Sequence, residues 1–103
     1  MKWHFTDGWN ASDLCANLAI DADYALKDEE KVPFVAFACS AASKALTLGL
    51  APGQQMVVSN IGGSNAVTVK AITGDSGTSV AAGKVALCIG AAAANASKIY
   101  VLN

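Results

Sequence analysis

The stretch that most constrains the fold is residues 45–69, which reads ALTLGL, APG, QQMVVSN, IGGS, NAVTV. Three short runs alternate apolar with polar or small residues, and a compact turn ends each of the first two. A period of two is the mark of a strand buried on one side. In KALTLGL it sets Leu46, Leu48 and Leu50 on one face and Ala45, Thr47 and Gly49 on the other. In QQMVVSNI, Met56 and Val58 share a face; in AVTVKAI, Val67, Val69 and Ala71 do. Ala51-Pro52-Gly53 has Pro and Gly in the order a tight turn uses. Gly62-Gly63-Ser64-Asn65 reads as a hairpin turn between the second and third runs.

The rhythm extends in both directions. VPFVAFAC is rich in β-branched and aromatic residues, with Pro33 near its start, where a strand tolerates a missing N–H. Downstream, TGDSGTS is a loop, KVALCIGA a strand, AAANAS a weak turn and KIYVLN a closing strand. About six strands at roughly ten-residue spacing make the pattern of an all-β fold, a small β-sandwich or jelly-roll-like domain. At 103 residues the chain is one domain with one core. Residues 31–103 are expected to form the sandwich, and residues 1–30 an N-terminal arm with a short helix. No internal repeat stands out.

Residues 1–10, MKWHFTDGWN, hold both tryptophans, a phenylalanine and the single histidine. So short a segment cannot bury Trp3, Phe5 and Trp9 within itself. The rings pack either on their own domain or on a partner, where clustered tryptophans make an anchor. Over residues 12–20 a helix is expected, with Ser12 or Asn10 as its cap and Asp13 in its first turn. Leu14, Leu18, Ala22 and Leu26 then recur at a spacing of four. Against a longer helix, Asp28, Glu29 and Glu30 would face the negative end of its dipole. An extended segment ending in a charged turn is the rival reading.

Hydrophobic residues make up 53% of the chain and charged ones 15%, with much of the apolar share alanine. Such a chain is poorly solvated as a monomer and is expected to cover surface with copies of itself or with a larger body. Net charge is −1, and the seven basic residues are lysines scattered singly. Nucleic-acid binding needs concentrated positive charge, so no nucleic-acid partner is expected. The apolar runs fall short of a membrane span and no export pattern opens the chain, so no membrane partner is expected. Cys15, Cys39 and Cys88 form no C-x-x-C pair; Cys39 and Cys88 sit in apolar runs as buried free thiols, with a Cys39–Cys88 bridge as the alternative.

Candidate chemistry is sparse. Gly74-Asp75-Ser76-Gly77 spells the core around a serine-protease nucleophile, but the nucleophile needs a histidine base beside it. The sole histidine, His4, lies in the terminal arm, and Thr78 replaces the glycine that usually follows. Gly, Asp and Ser are also ordinary turn residues. His4 has no metal-ligand partners at useful spacing. Asp21, Asp23, Asp28, Glu29 and Glu30 lack the spacing of a calcium loop and read as a solvated acidic face. Asn10-Ala11-Ser12 and Asn95-Ala96-Ser97 match glycosylation acceptors but follow no export signal. Gly62-Gly63 is followed by neither a helix nor a Lys-Ser/Thr pair, so it is no phosphate loop. No enzyme, catalytic residue, cofactor or metal is expected.

The run ALTLGLAPGQQMVVSNIGGSNAVTVKAITGDSGTSVAAGKVALCIG, with the closing KIYVLN, resembles small β domains of tailed-phage virion proteins. These occur as head decoration (cement) proteins, head fibres and tail accessory proteins. The resemblance covers roughly the C-terminal 60 residues. It implies a non-enzymatic protein of the capsid surface, assembled in the host cytoplasm. The implied partners are further copies of the chain, as a homotrimer, and the major capsid protein. Trp3, Phe5 and Trp9 would then be the anchoring or intersubunit cluster. A glycan- or receptor-binding module of a tail or fibre is the competing implication, for which only Tyr24, Tyr100 and the N-terminal tryptophans supply aromatic rings.

Overall fold

A computed structural model of the chain describes residues 15–62, 64–91 and 98–102. Among these described residues nine strands run in chain order as β1 (Cys15–Ile20), β2 (Tyr24–Ala25), β3 (Phe34–Cys39), β4 (Lys44–Thr47), β5 (Gln55–Asn60), β6 (Val67–Lys70), β7 (Thr78–Val80), β8 (Val85–Ile89) and β9 (Lys98–Val101). A single 3₁₀ turn at Asp28–Glu30 is the only helical element among the described residues. The strands form two sheets, one ordered β1-β3-β5-β8-β9 and the other β2-β4-β6-β7. The protein is therefore an all-β sandwich.

Its wiring differs from hairpin-by-hairpin assembly. From β1 to β6 each strand lies in the sheet opposite the one before it. Three strand–bend–strand arches, β1–β2, β3–β4 and β5–β6, therefore stack on one another. One turn of chain brings Cys15 beside Phe34, and the next brings Phe34 beside Val57, both in parallel. Parallel neighbours need a connection of about a dozen residues or more, usually a helix. Here the strand of the opposite sheet fills that role. The direction reverses only at the end of the stack, where β7 pairs antiparallel with β6, β8 with β5 and β9 with β8.

Two expectations are corrected by this arrangement. Residues 62–65 do not turn a hairpin: β5 and β6 belong to different sheets, and the segment bends the chain from one to the other. The helix over residues 12–20 gives way at 15–20 to strand β1, which pairs along its whole length with β3. A spacing of four is even, so the stripe that suggested a helix is equally one face of a strand. In β1, Leu18 and Ile20 turn inward while Asn17 and Ala19 are exposed. The described part of residues 1–30 is thus woven into both sheets as edge strands.

The alternation elsewhere holds. Leu46, Leu48 and Leu50, Met56 and Val58, and Val67, Val69 and Ala71 all point into one core, joined by Val35 and Phe37. Cys39 and Cys88 are buried and free. They stand on strands separated by β5, second neighbours at about 9.6 Å, beyond the reach of a disulfide. The Ala51–Gln54 turn has Gly53 at φ +78°, a conformation L side chains resist, and Gln54 N–H donates to Ala51 C=O at 2.9 Å. Gly53 N–H and Gly90 N–H then clamp this turn against the end of β8.

Among the described residues one polar side chain sits wholly inside. Asn60 is 0% exposed, in the inward row that also holds Leu18 and Phe37. Its Nδ2 donates to the carbonyls of Asn65 and Val80, each at 2.9 Å, and its Oδ1 accepts from Gly62 N–H at 3.1 Å. Asn65 Nδ2 in turn donates to Cys39 C=O at 2.9 Å. A buried amide satisfied this way costs little and fixes direction. It is Asn60 that ties the end of β5, the bend after it and β7 of the opposite sheet together.

Candidate interaction surface

Each sheet has an inner face committed to the core, so its outer face is free to carry function. On the four-stranded sheet the outward residues are Ala45, Thr47, Thr68, Lys70 and Ser79, small or polar and suited to water. The five-stranded sheet is different. Its registers align Phe34, Val57, Leu87 and Tyr100 in one row across β3, β5, β8 and β9. Flanking rows add Ala36, Ser59 and Val85 on one side, and Gln55, Ile89 and Lys98 on the other. Among the described outward strand residues of this sheet, Lys98 carries the only charge.

The two rings of this row are open to solvent, Phe34 at 36% and Tyr100 at 51% exposure. Leu102, at 56%, extends the apolar surface past β9, its N–H held by Val85 C=O at 2.7 Å. Toward the Ala51–Gln54 turn the face runs into an open depression of about 750 Å³, lined by Pro33, Pro52, Met56, Val57 and Leu87. Contiguous apolar areas of this kind are typical of interaction sites.

The sequence signal for this face was present in the strands themselves. FVAFAC and VALCI carry apolar residues at both parities, the composition of strands covered on both sides.

The remaining candidate residues are used locally. Gly74-Asp75-Ser76-Gly77 forms the bend between β6 and β7. Asp75 is buried, and its Oδ2 and N–H bond the backbone of Ile72. Gly77, at φ +81°, lies so close to β6 that an added Cβ would stand 2.7 Å from Thr68 Cγ2 and 2.9 Å from Val69 O. Of the acidic residues, Asp23 Oδ1 accepts from Ala45 N–H at 3.0 Å, and Glu30 accepts from Tyr24 Oη and from Lys27 N–H. That bond, with the Glu30 charge beside it, raises the Tyr24 pKa. Among the described residues no three His, Cys, Asp or Glu side chains are placed to hold one metal ion. No described helix is long and apolar enough to cross a membrane. Trp3, Phe5 and Trp9, with His4 and both glycosylation motifs, lie outside the described residues.

Comparison with family models, with curated proteins and with solved structures gave no match.

Proposed function

We propose that the chain is a non-enzymatic structural protein of a tailed-phage virion, one that binds the outer capsid surface and stabilises it. The observation that supports an assembly role is the outer face of the five-stranded sheet, an apolar row from Phe34 to Tyr100 with one lysine at its margin. A freely soluble monomer gains nothing from such a face, whereas a component of a larger body covers it. The phage assignment comes from the resemblance of the C-terminal strands and loops. In this reading Trp3, Phe5 and Trp9 anchor the chain to the major capsid protein, and the chain acts as a homo-oligomer, a trimer by resemblance, with no cofactor.

Cosedimentation of the full chain with expanded, undecorated phage capsids tests the proposal. Saturable binding at a fixed copy number per capsomer is expected, and Trp3→Ala with Trp9→Ala is expected to lower that occupancy. Absence of binding by a stably folded chain overturns the capsid role and directs attention to a glycan- or receptor-binding module of a tail or fibre. Unchanged occupancy of the tryptophan variant removes the anchor role alone.

A further inference from the structure

We propose that the outer face of the five-stranded sheet is a self-association surface, against which a second copy of this chain packs the same face. The inference rests on reading that face as an assembly surface and is independent of the capsid.

Size is the first argument. The four strands β3, β5, β8 and β9, at about 4.8 Å spacing and about 17 Å long, present roughly 330 Å² in projection. Side chains standing on it, with Leu102 beyond β9, enlarge the accessible area toward the ~800 Å² per partner that stable interfaces bury.

Charge is the second. Interfaces between copies of one chain are the most apolar class and exclude charge from their centre. Here the central row has none, and Lys98 lies at the rim beside Ile89. No pattern of opposite charge selects a different partner.

Symmetry is the third argument. A two-fold contact requires a patch complementary to itself. Across β3, β5, β8 and β9 the row reads aromatic, aliphatic, aliphatic, aromatic: Phe34, Val57, Leu87, Tyr100. Cys15 of β1 continues the row beyond Phe34, outside this symmetric part. An axis along the strands between β5 and β8 lays Val57 of one copy over Leu87 of the other, and Phe34 over Tyr100. Face-to-face sheets pack in this manner at about 10 Å separation.

Sedimentation equilibrium of the full chain at micromolar concentration tests the inference. The expected species is a dimer or, if a trimer also forms through other surfaces, a hexamer. Leu87→Glu is expected to halve that species, weakening the contact about 100-fold or more at the centre of a desolvated patch. Tyr100→Lys is the second variant: half exposed on an edge strand, it leaves the core untouched if Leu87→Glu fails to fold. Thr47→Glu on the opposite sheet is the control and leaves association unchanged. A monomer, a trimer, or an even-numbered species indifferent to the folded face variants overturns the proposal. A monomer that still decorates capsids overturns it and leaves the capsid reading standing; a dimer that ignores capsids does the reverse.

Discussion

Replacing Asn60 by alanine should unlock the bend between the sheets without touching any surface. The wild-type side chain makes three hydrogen bonds at 2.9, 2.9 and 3.1 Å from a site with 0% exposure. Each is worth about 1 kcal/mol net, and a buried group stripped of its partner costs about 1–3 kcal/mol. The carbonyls of Asn65 and Val80 each keep a second lone pair, so the loss centres on about 3 kcal/mol rather than the sum of the maxima. Against a total stability of about 5–15 kcal/mol for a domain, that is a large fraction. Urea unfolding followed by far-UV circular dichroism reads it as a midpoint lowered by about 1–3 M at unchanged slope. Asn60→Asp keeps the shape but loses both donated bonds and adds a charge, so it should be no better than alanine. Ser59→Ala, one residue earlier and facing outward, should stay within about 0.5 kcal/mol of wild type. An Asn60→Ala protein within about 1 kcal/mol of wild type would refute the assignment of Asn60 as the tie between the sheets.

Alkaline stability provides a second test. Burial pushes the Cys88 thiol from 9.0 up to about 12, so the fold favours the neutral form. Its contribution is complete below about pH 9 and is lost as pH rises toward 12, by at most about 4 kcal/mol. Cys88→Ala should flatten that part of the pH profile, and a profile identical to wild type would exclude the thiol as its source. The raised Tyr24 pKa acts in the same direction above pH 10. Two glycines with nearly equal φ separate backbone strain from close contact. Gly83→Ala, at φ +84° with open space around it, should cost about 1 kcal/mol. Gly77→Ala must also displace Thr68 and the Val69 carbonyl, so it should cost about 3 kcal/mol or prevent folding. Equal melting temperatures for the two variants would show that β6 does not press on Gly77.

What could be read from the sequence divides along a physical line. The inward faces of β4, β5 and β6 were legible because alternation is a local property of each strand. Leu46, Met56 and Val67 declare their side without reference to any partner. Pairing is not local. IGGSN suits a hairpin as well as an arch, since both need small residues. The choice of arch accompanies Asn60, whose bonds to Asn65 and Val80 span both sheets. The β1 segment misled for a different reason: Leu14, Leu18 and Ala22 fit periods of both 3.6 and 2, and only the pairing with Phe34–Cys39 separates them. The outer apolar face was half legible. FVAFAC and VALCI announce two covered sides, but the row from Phe34 to Tyr100 emerges only when four strands distant in sequence come into register.

That register is the strongest reason to regard the face as functional. Core burial dictates one parity of each strand and leaves the other unconstrained by folding. On the four-stranded sheet the free parity holds Thr47, Thr68, Lys70 and Ser79, which solvate the surface at no cost to the core. On the five-stranded sheet the same freedom holds Phe34, Val57, Leu87 and Tyr100, side by side rather than scattered. Outward apolar side chains add little stability to a lone domain and reduce its solubility. Because side chains alternate with a period of two, a one-residue slip of any strand would break this row and expose the core together. The parallel pairing of β3 with β5 and the antiparallel pairing of β5 with β8 and β8 with β9 hold both in place with one set of hydrogen bonds. An apolar row kept in register by the fold, yet unneeded for folding, is the feature on which the proposed self-association rests.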